Sequence, residues 1–194
     1  MMKHKHRIAI AGNPNSGKTT LFNALTGSRQ KIGNWPGKTV EKKEGFFRYS
    51  DETYSLIDLP GTYSLSSYTS EEVIAEDFIT GHEHDCIINV VDSTSLKRNL
   101  YLTLQLLELG ADVILVLNMT DLADKRHLNI DHRILSKALD IPVVKISANK
   151  KKGLEELLMS IKQQTHKSPR DKTDKHSSKI AYGRELDQHI EQLQ

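Results

Sequence analysis

The octapeptide Gly12-Asn13-Pro14-Asn15-Ser16-Gly17-Lys18-Thr19 constrains this chain more than any other stretch. It fits G-x-x-x-x-G-K-[ST], and its surroundings suit the motif. Residues 7–11, Arg-Ile-Ala-Ile-Ala, read as a short buried strand, and residues 20–25, Thr-Leu-Phe-Asn-Ala-Leu, open a helix. Strand, glycine-bounded loop and helix in that order make a phosphate cradle. Gly12 and Gly17 let the backbone curl so that its N–H groups point inward, and the helix start adds the positive end of its dipole. The whole stretch from Asn13 through Pro14, Asn15, Ser16, Gly17, Lys18 and Thr19 to Thr20 is therefore the candidate phosphate-binding segment. Lys18 is placed to reach the β and γ phosphates of a nucleotide, and the Thr19 hydroxyl to ligate Mg²⁺.

At 194 residues the chain accommodates one domain of ordinary size plus an appendage. A net charge of only +2 makes no case for a nucleic-acid partner or an anionic membrane surface. The single cysteine, Cys86, lies in an apolar run and cannot form an internal disulfide, which fits a packed core thiol in a reducing compartment. The basic start of the chain is followed by too short an apolar segment for a signal peptide, and no run approaches the ~20 apolar residues that span a bilayer. A soluble polypeptide is expected.

Along the chain, residues 28–38 are polar and glycine-rich and read as a loop. Residues 39–50 and 53–59 read as two strands of a hairpin turning through Ser50-Asp51-Glu52, and residues 70–80 as a helix. The apolar runs 86–91, 113–117 and 142–146 read as further strands, with helices over 97–109, 131–139 and 153–164. This alternation predicts an α/β fold: a six-stranded, mostly parallel sheet with helices on both faces, whose ligands bind at the carboxyl ends of the strands. Residues 165–178 are almost devoid of apolar side chains and read as a linker; 179–194 carry Ile180, Leu186, Ile190 and Leu193 at helical spacing.

The motifs that follow the first each supply a part it lacks. Asp58 closes a strand three residues before Gly61, the arrangement in which a carboxylate holds Mg²⁺ through water and a glycine N–H meets the γ-phosphate. Asn118-Met119-Thr120-Asp121 ends a buried strand, and Asp121 can accept from the N1–H and 2-amino groups of guanine, a pair that adenine does not offer. Ser147, Ala148 and Asn149 follow the last strand and bring backbone donors toward the guanine oxygen.

Taken together these residues resemble the five guanine-nucleotide motifs of the Ras-like GTPase superfamily, over residues 7–164. Within it the pattern is most similar to the N-terminal G domain of the bacterial ferrous iron transport protein B family. Three stretches carry that likeness: residues 12–27, the loop Gly33-Asn34-Trp35-Pro36-Gly37 with Thr39-Val40-Glu41, and residues 58–65. The resemblance implies GTP and GDP as ligands, Mg²⁺ held by Thr19, Thr39 and Asp58, and slow GTP hydrolysis in which Lys18, Asn15, Thr39 and Gly61 act. It also implies a candidate K⁺ site on Asn15 with the carbonyls of Gly33 and Trp35. Residues 1–166 would form the G domain, and 167–194 a linker and the first helix of a truncated helical domain. The expected partners are a guanine nucleotide, the membrane domain of the same full-length protein and a second copy of the chain, with no nucleic acid. The expected location is the cytoplasmic face of the bacterial inner membrane, in a regulator of iron uptake. The alternatives for the same motifs are a ribosome- or RNA-associated GTPase and a non-catalytic nucleotide-dependent interaction module.

Two positions depart from the pattern. Lys38 stands where the family more often has a small or apolar residue, and Thr62 where Ras-like enzymes carry a water-orienting glutamine, an absence the family shares. His4, His6, His82 and His84 lie in polar segments and read as surface histidines rather than metal ligands. Trp35 reads as a loop residue beside the nucleotide in preference to an exposed anchor for another domain.

Overall fold

The computed structural model describes residues 5–167. The expected linker and terminal helix, and His4, lie outside that range. In chain order the elements are β1 (Lys5–Gly12), α1 (Lys18–Thr26), β2 (Gln30–Asn34), β3 (Glu41–Tyr49), β4 (Glu52–Asp58), α2 (Ser70–Thr80), β5 (Cys86–Asp92), α3 (Leu96–Glu108), β6 (Val113–Asn118), α4 (Thr120–Lys125), α5 (His132–Leu139), β7 (Val143–Lys145) and α6 (Leu154–Thr165). They build one sheet in the order β2-β3-β4-β1-β5-β6-β7. β1 pairs parallel with β4 and β5, and β5, β6 and β7 continue in parallel, whereas β2 and β3 run antiparallel at one edge.

Strict alternation along the strands assigns the two faces. Ala9 and Ala11 of β1 join Ile57, Ile87, Val113 and Leu115 beneath α2, α3 and α5, represented by Phe78, Leu100 and Leu135. Ile8 and Ile10 join Leu56, Cys86, Ile88, Ile114 and Val116 beneath α1 and α6, represented by Phe22 and Leu157. Because helices cover both faces, every residue of β6 is buried, and so is β5 up to Asp92. That double burial is why the two strands read as continuous apolar runs rather than as alternating ones. Cys86 is buried among them, as expected.

The sheet has seven strands where six are expected. The addition is β2, which occupies part of the presumed loop 28–38 and pairs antiparallel with β3 from Gln30↔Gly45 to Asn34↔Glu41. Apart from Gln30 its residues are exposed, so neither face carries an apolar period. Backbone pairing holds this edge, helped by the Gln30 amide, which donates to Asn23, Thr26 and Gly27 at the end of α1, and by the Lys31 ammonium 5.5 Å from the centre of the Phe46 ring. The hairpin between β3 and β4 turns on Ser50 and Asp51, both left-handed at φ 46° and 64°, the primed turn that matches strand twist. A further unpredicted element, α4, starts after Met119, itself left-handed at φ 59°.

The chain leaves β1 toward β2–β4 on one side and leaves β5 toward β6 on the other. The crevice at the carboxyl ends of β1 and β5 is thus the switch point where ligands bind in sheets of this kind. Near it the interior carries one neutral polar pair, with Asn89 of β5 donating to the Thr103 hydroxyl of α3 at 2.7 Å, both fully buried. Thr103→Val keeps the shape but strips the partner from that amide. It should cost about 1–3 kcal/mol, read as a lowered urea midpoint with unchanged m-value.

Candidate functional site

The loop after β1 wraps a cleft of about 490 Å³ lined by Asn13, Pro14, Asn15, Gly17, Lys18, Thr19, Thr20 and Gly61. Its backbone closes on itself through Ser16 N–H donating to the Asn13 carbonyl at 3.1 Å. The N-cap of α1 is Gly17, with no side-chain cap and no acidic residue in the first turn. The helix therefore starts with backbone donors that its own sequence does not satisfy, which is the requirement for binding an anion there. At the floor of the loop the Asn13 Oδ1 and Ser16 Oγ atoms are buried and have no hydrogen-bond partner among the described residues. Two glycines are sterically required. A Cβ on Gly12 would lie 2.5 Å from the Val90 carbonyl oxygen, and one on Gly17, at φ 86°, would lie 2.2 Å from the Asn118 amide nitrogen.

Lys18 reaches across the cleft and donates to the Asp58 carboxylate and, at 2.7 Å, to the Leu59 carbonyl. Both charged side chains are nearly buried, at 10% and 11% exposure, so their pairing is what makes either tolerable there. Asp58 is delivered by the end of β4, which is in register with Ile10 of β1.

A second recess adjoins the first, sharing Gly17 and Thr20, and is completed by Asn118, Met119, Asp121, Leu122, Ser147, Ala148 and Asn149. Asn118 is buried and bridges two loops. Its Nδ2 donates to the Ser16 carbonyl at 2.9 Å, and its Oδ1 accepts from the Ala148 N–H at 3.1 Å. Asp121 accepts from the Ser147 hydroxyl at 2.9 Å and pairs with the Lys150 ammonium at 2.9 Å. The hydrogen bond from Lys150, then that from Ser147, hold its carboxyl below the ordinary aspartate range. Lys150 is absent from the sequence-predicted site. The run Ser147-Ala-Asn-Lys150 places it on the single helical turn at Ala148–Lys150, three residues after Ser147, which is the signal that could have pointed to it.

Of the residues predicted in segments 13–20, 118–121 and 147–149, all but the buried Ser16 line these adjoining recesses. Thr39, Gly33 and Trp35 do not line them. Thr39 is exposed, Gly33 sits in β2 opposite Lys42, and the Trp35 carbonyl accepts the Lys38 N–H at 3.0 Å. Trp35 is neither an exposed anchor nor a wall of the phosphate cleft. Its indole is 8% exposed, edge-on to Phe78 of α2 with centroids 5.8 Å apart, and the Lys42 ammonium lies 4.7 Å from its ring. The apolar area of the ring outweighs the polarity of its loop. Thr62, at the glutamine position, is buried.

A family model described as "Ferrous iron transport protein B" matches residues 6–161. The chain belongs to this family. It is 52% identical over 161 residues to the Fe(2+) transporter FeoB of Salmonella typhimurium, and equally so to that of Escherichia coli K12, the match covering 81% of this chain and 21% of each relative. The chain thus corresponds to about a fifth of those relatives. Among solved structures, the G domain of the T. maritima FeoB iron transporter superposes with a TM-score of 0.79 at 48% identity, covering 84% of this chain and all of that one. An S. thermophilus NFeoB N11A mutant bound to mGDP superposes with a TM-score of 0.79 at 45% identity, covering 86% of this chain and 63% of that one. The FeoB likeness therefore takes in the whole of the T. maritima G domain, with its Ras-like α/β fold. Among the described residues no helix is long and apolar enough to cross a membrane.

The Lys150 contact has a direct readout. In Lys150→Ala the Asp121 carboxyl should titrate at a higher pH than in the parent, as followed by carbon NMR. An unchanged titration would leave Ser147 as its main partner.

Proposed function

We propose that this chain binds GTP and GDP in preference to adenine nucleotides, hydrolyses GTP slowly to GDP and phosphate, and serves as the nucleotide-dependent regulator of a ferrous iron membrane transporter at its cytoplasmic face. The observation that carries the nucleotide reading is Asp121. Its carboxylate is paired with Lys150 and oriented by Ser147, in a recess continuous with the phosphate cleft. An ionised acceptor there rewards the paired donors of guanine and repels the acceptor nitrogen of adenine. The transporter role rests on family membership, and the membrane portion of the same full-length protein is the natural partner.

The donor set fits Mg²⁺, since a hydroxyl at Thr19 and a carboxylate at Asp58 are the hard oxygen ligands that cation takes. Thr19, Asp58 and Thr39 would hold it, and when bound it neutralises charge on the β and γ phosphate oxygens. Lys18 is the group whose partner changes. Phosphate oxygens entering the cleft compete with Asp58 and the Leu59 carbonyl for its ammonium, which frees the carboxylate. The Gly61 N–H lines the same cleft and is available to the γ-phosphate. Thr39, Gly33 and Trp35 reach the nucleotide only if the exposed segment from β2 to Val40 repacks. That makes this segment the element whose conformation reports the γ-phosphate. Asn15 stands exposed on the cleft wall at φ 66°, a conformation asparagine tolerates, with its amide oxygen offered as a K⁺ ligand. Potassium there would supply the positive charge that an arginine supplies in other GTPases.

Competition binding against a fluorescent guanine nucleotide tests the first claim: GTP and GDP should displace it and ATP should not. Asp121→Asn should lose guanine and gain xanthine nucleotides, whose 2-oxo group needs a donor. Equal affinity for ATP and GTP would overturn the assignment.

Turnover tests the catalytic roles. In potassium, GTP hydrolysis should exceed that in sodium at matched ionic strength. The difference should vanish in Asn15→Ala, and Thr39→Ala should be slow in both salts. Equal parent rates in the two salts would remove the K⁺ site.

A further inference from the structure

At the other end of the sheet, three side chains from distant parts of the chain converge. His6 lies near the start of β1, Glu52 begins β4 and His166 caps the end of α6. One ligand atom from each lies within 4.8 Å of the other two. The His166 Nε2 and Glu52 Oε1 atoms are already 2.8 Å apart. Metal–ligand bonds of about 2.1 Å at tetrahedral or octahedral angles put neighbouring donors about 3–3.4 Å apart, so small side-chain rotations suffice to close the set. We propose that His6, Glu52 and His166 form a binding site for a divalent first-row transition-metal ion.

The surroundings are those of a built site. The Tyr54 hydroxyl donates to the Glu52 Oε2 at 2.6 Å, which fixes the carboxylate and leaves Oε1 directed at His166. The His6 ring stacks on Tyr54 with centroids 5.2 Å apart and lies 5.2 Å from the His166 ring. The Asp85 Oδ2, which accepts the Arg7 N–H at 2.8 Å, lies 3.7 Å from the His6 Nδ1 and places a negative charge behind that ring. An ordinary surface ion pair accounts for Glu52 with His166 but not for a second imidazole packed against both. Two imidazoles and one carboxylate are the donor chemistry of Zn²⁺ and Fe²⁺, not of Mg²⁺ or Ca²⁺. The site is separate from the nucleotide cleft, because the six residue steps along β1 from His6 to Gly12 span roughly 20 Å. A bound ion would clamp the end of α6, from which the chain runs on to residues 168–194, to the amino ends of β1 and β4.

The test is titration of the metal-free 194-residue chain with Zn²⁺ by calorimetry and with Co²⁺ by visible absorption. The expected result is one ion per chain, with ligand-field bands from Co²⁺. Glu52→Gln and His166→Ala should each weaken Zn²⁺ at least tenfold, and His4→Ala should change nothing. His166 is half exposed, so its variant should keep the parent's circular dichroism and urea midpoint, which separates ligand loss from unfolding. No binding by the parent would overturn the site. So would an affinity that falls with His4→Ala and ignores Glu52→Gln and His166→Ala, since that behaviour belongs to a terminal histidine pair.

Discussion

The two hydrogen bonds of the Asn118 amide hold the functional end of this molecule together. One reaches the Ser16 carbonyl in the phosphate loop and the other takes the Ala148 N–H in the loop after β7. The phosphate loop follows β1, whereas the second recess is built by the loops after β6 and β7, and this buried side chain sets the separation between them. The bridge exists only because residue 17 has no side chain to displace the amide. The base and phosphates of a nucleotide are joined through one ribose of limited reach, so the distance between the two recesses restricts what can occupy both at once.

The fold supports this geometry by burying β5 and β6 on both faces and ending them at the same level. Their last residues, Asp92 and Asn118, are in register. The edge formed by β2 and the turn to Val40 is different in kind. It buries little beyond Trp35, and most of its residues are exposed. Structure held mainly by pairing at a sheet edge opens at low free-energy cost. The central sheet and this edge thus differ in how much burial holds them. Lys18 ties the phosphate loop to the end of β4 through its pairing with Asp58.

Much of this was legible in the chain itself. The glycine-bounded octapeptide, Asp58 before Gly61, Asn118 with Asp121, and Ser147-Ala148 are local patterns whose chemistry depends on spacing, and each falls at a strand end. Doubly buried strands and amphipathic helices announce themselves because burial dictates composition along consecutive residues. Those signals determined the α/β class, the parallel core of the sheet and both recesses of the nucleotide site.

Tertiary structure alone decided what depends on partners far away in sequence. β2 carries no apolar period because nothing covers it, so only its backbone pairing with β3 reveals it as a strand. Trp35 sits in a polar loop and yet is buried, because Phe78 of a distant helix offers it an apolar seat. Along the chain His6 is grouped with His4, whereas the groups against it in the fold are Tyr54, Asp85 and His166. Lys150 acquires its role from the Asp121 carboxylate across two loops. Sequence proximity sets which residues share a helix face or a strand, but charge pairing and ligand convergence act through a few ångströms of space, and only the folded chain establishes which groups are that close.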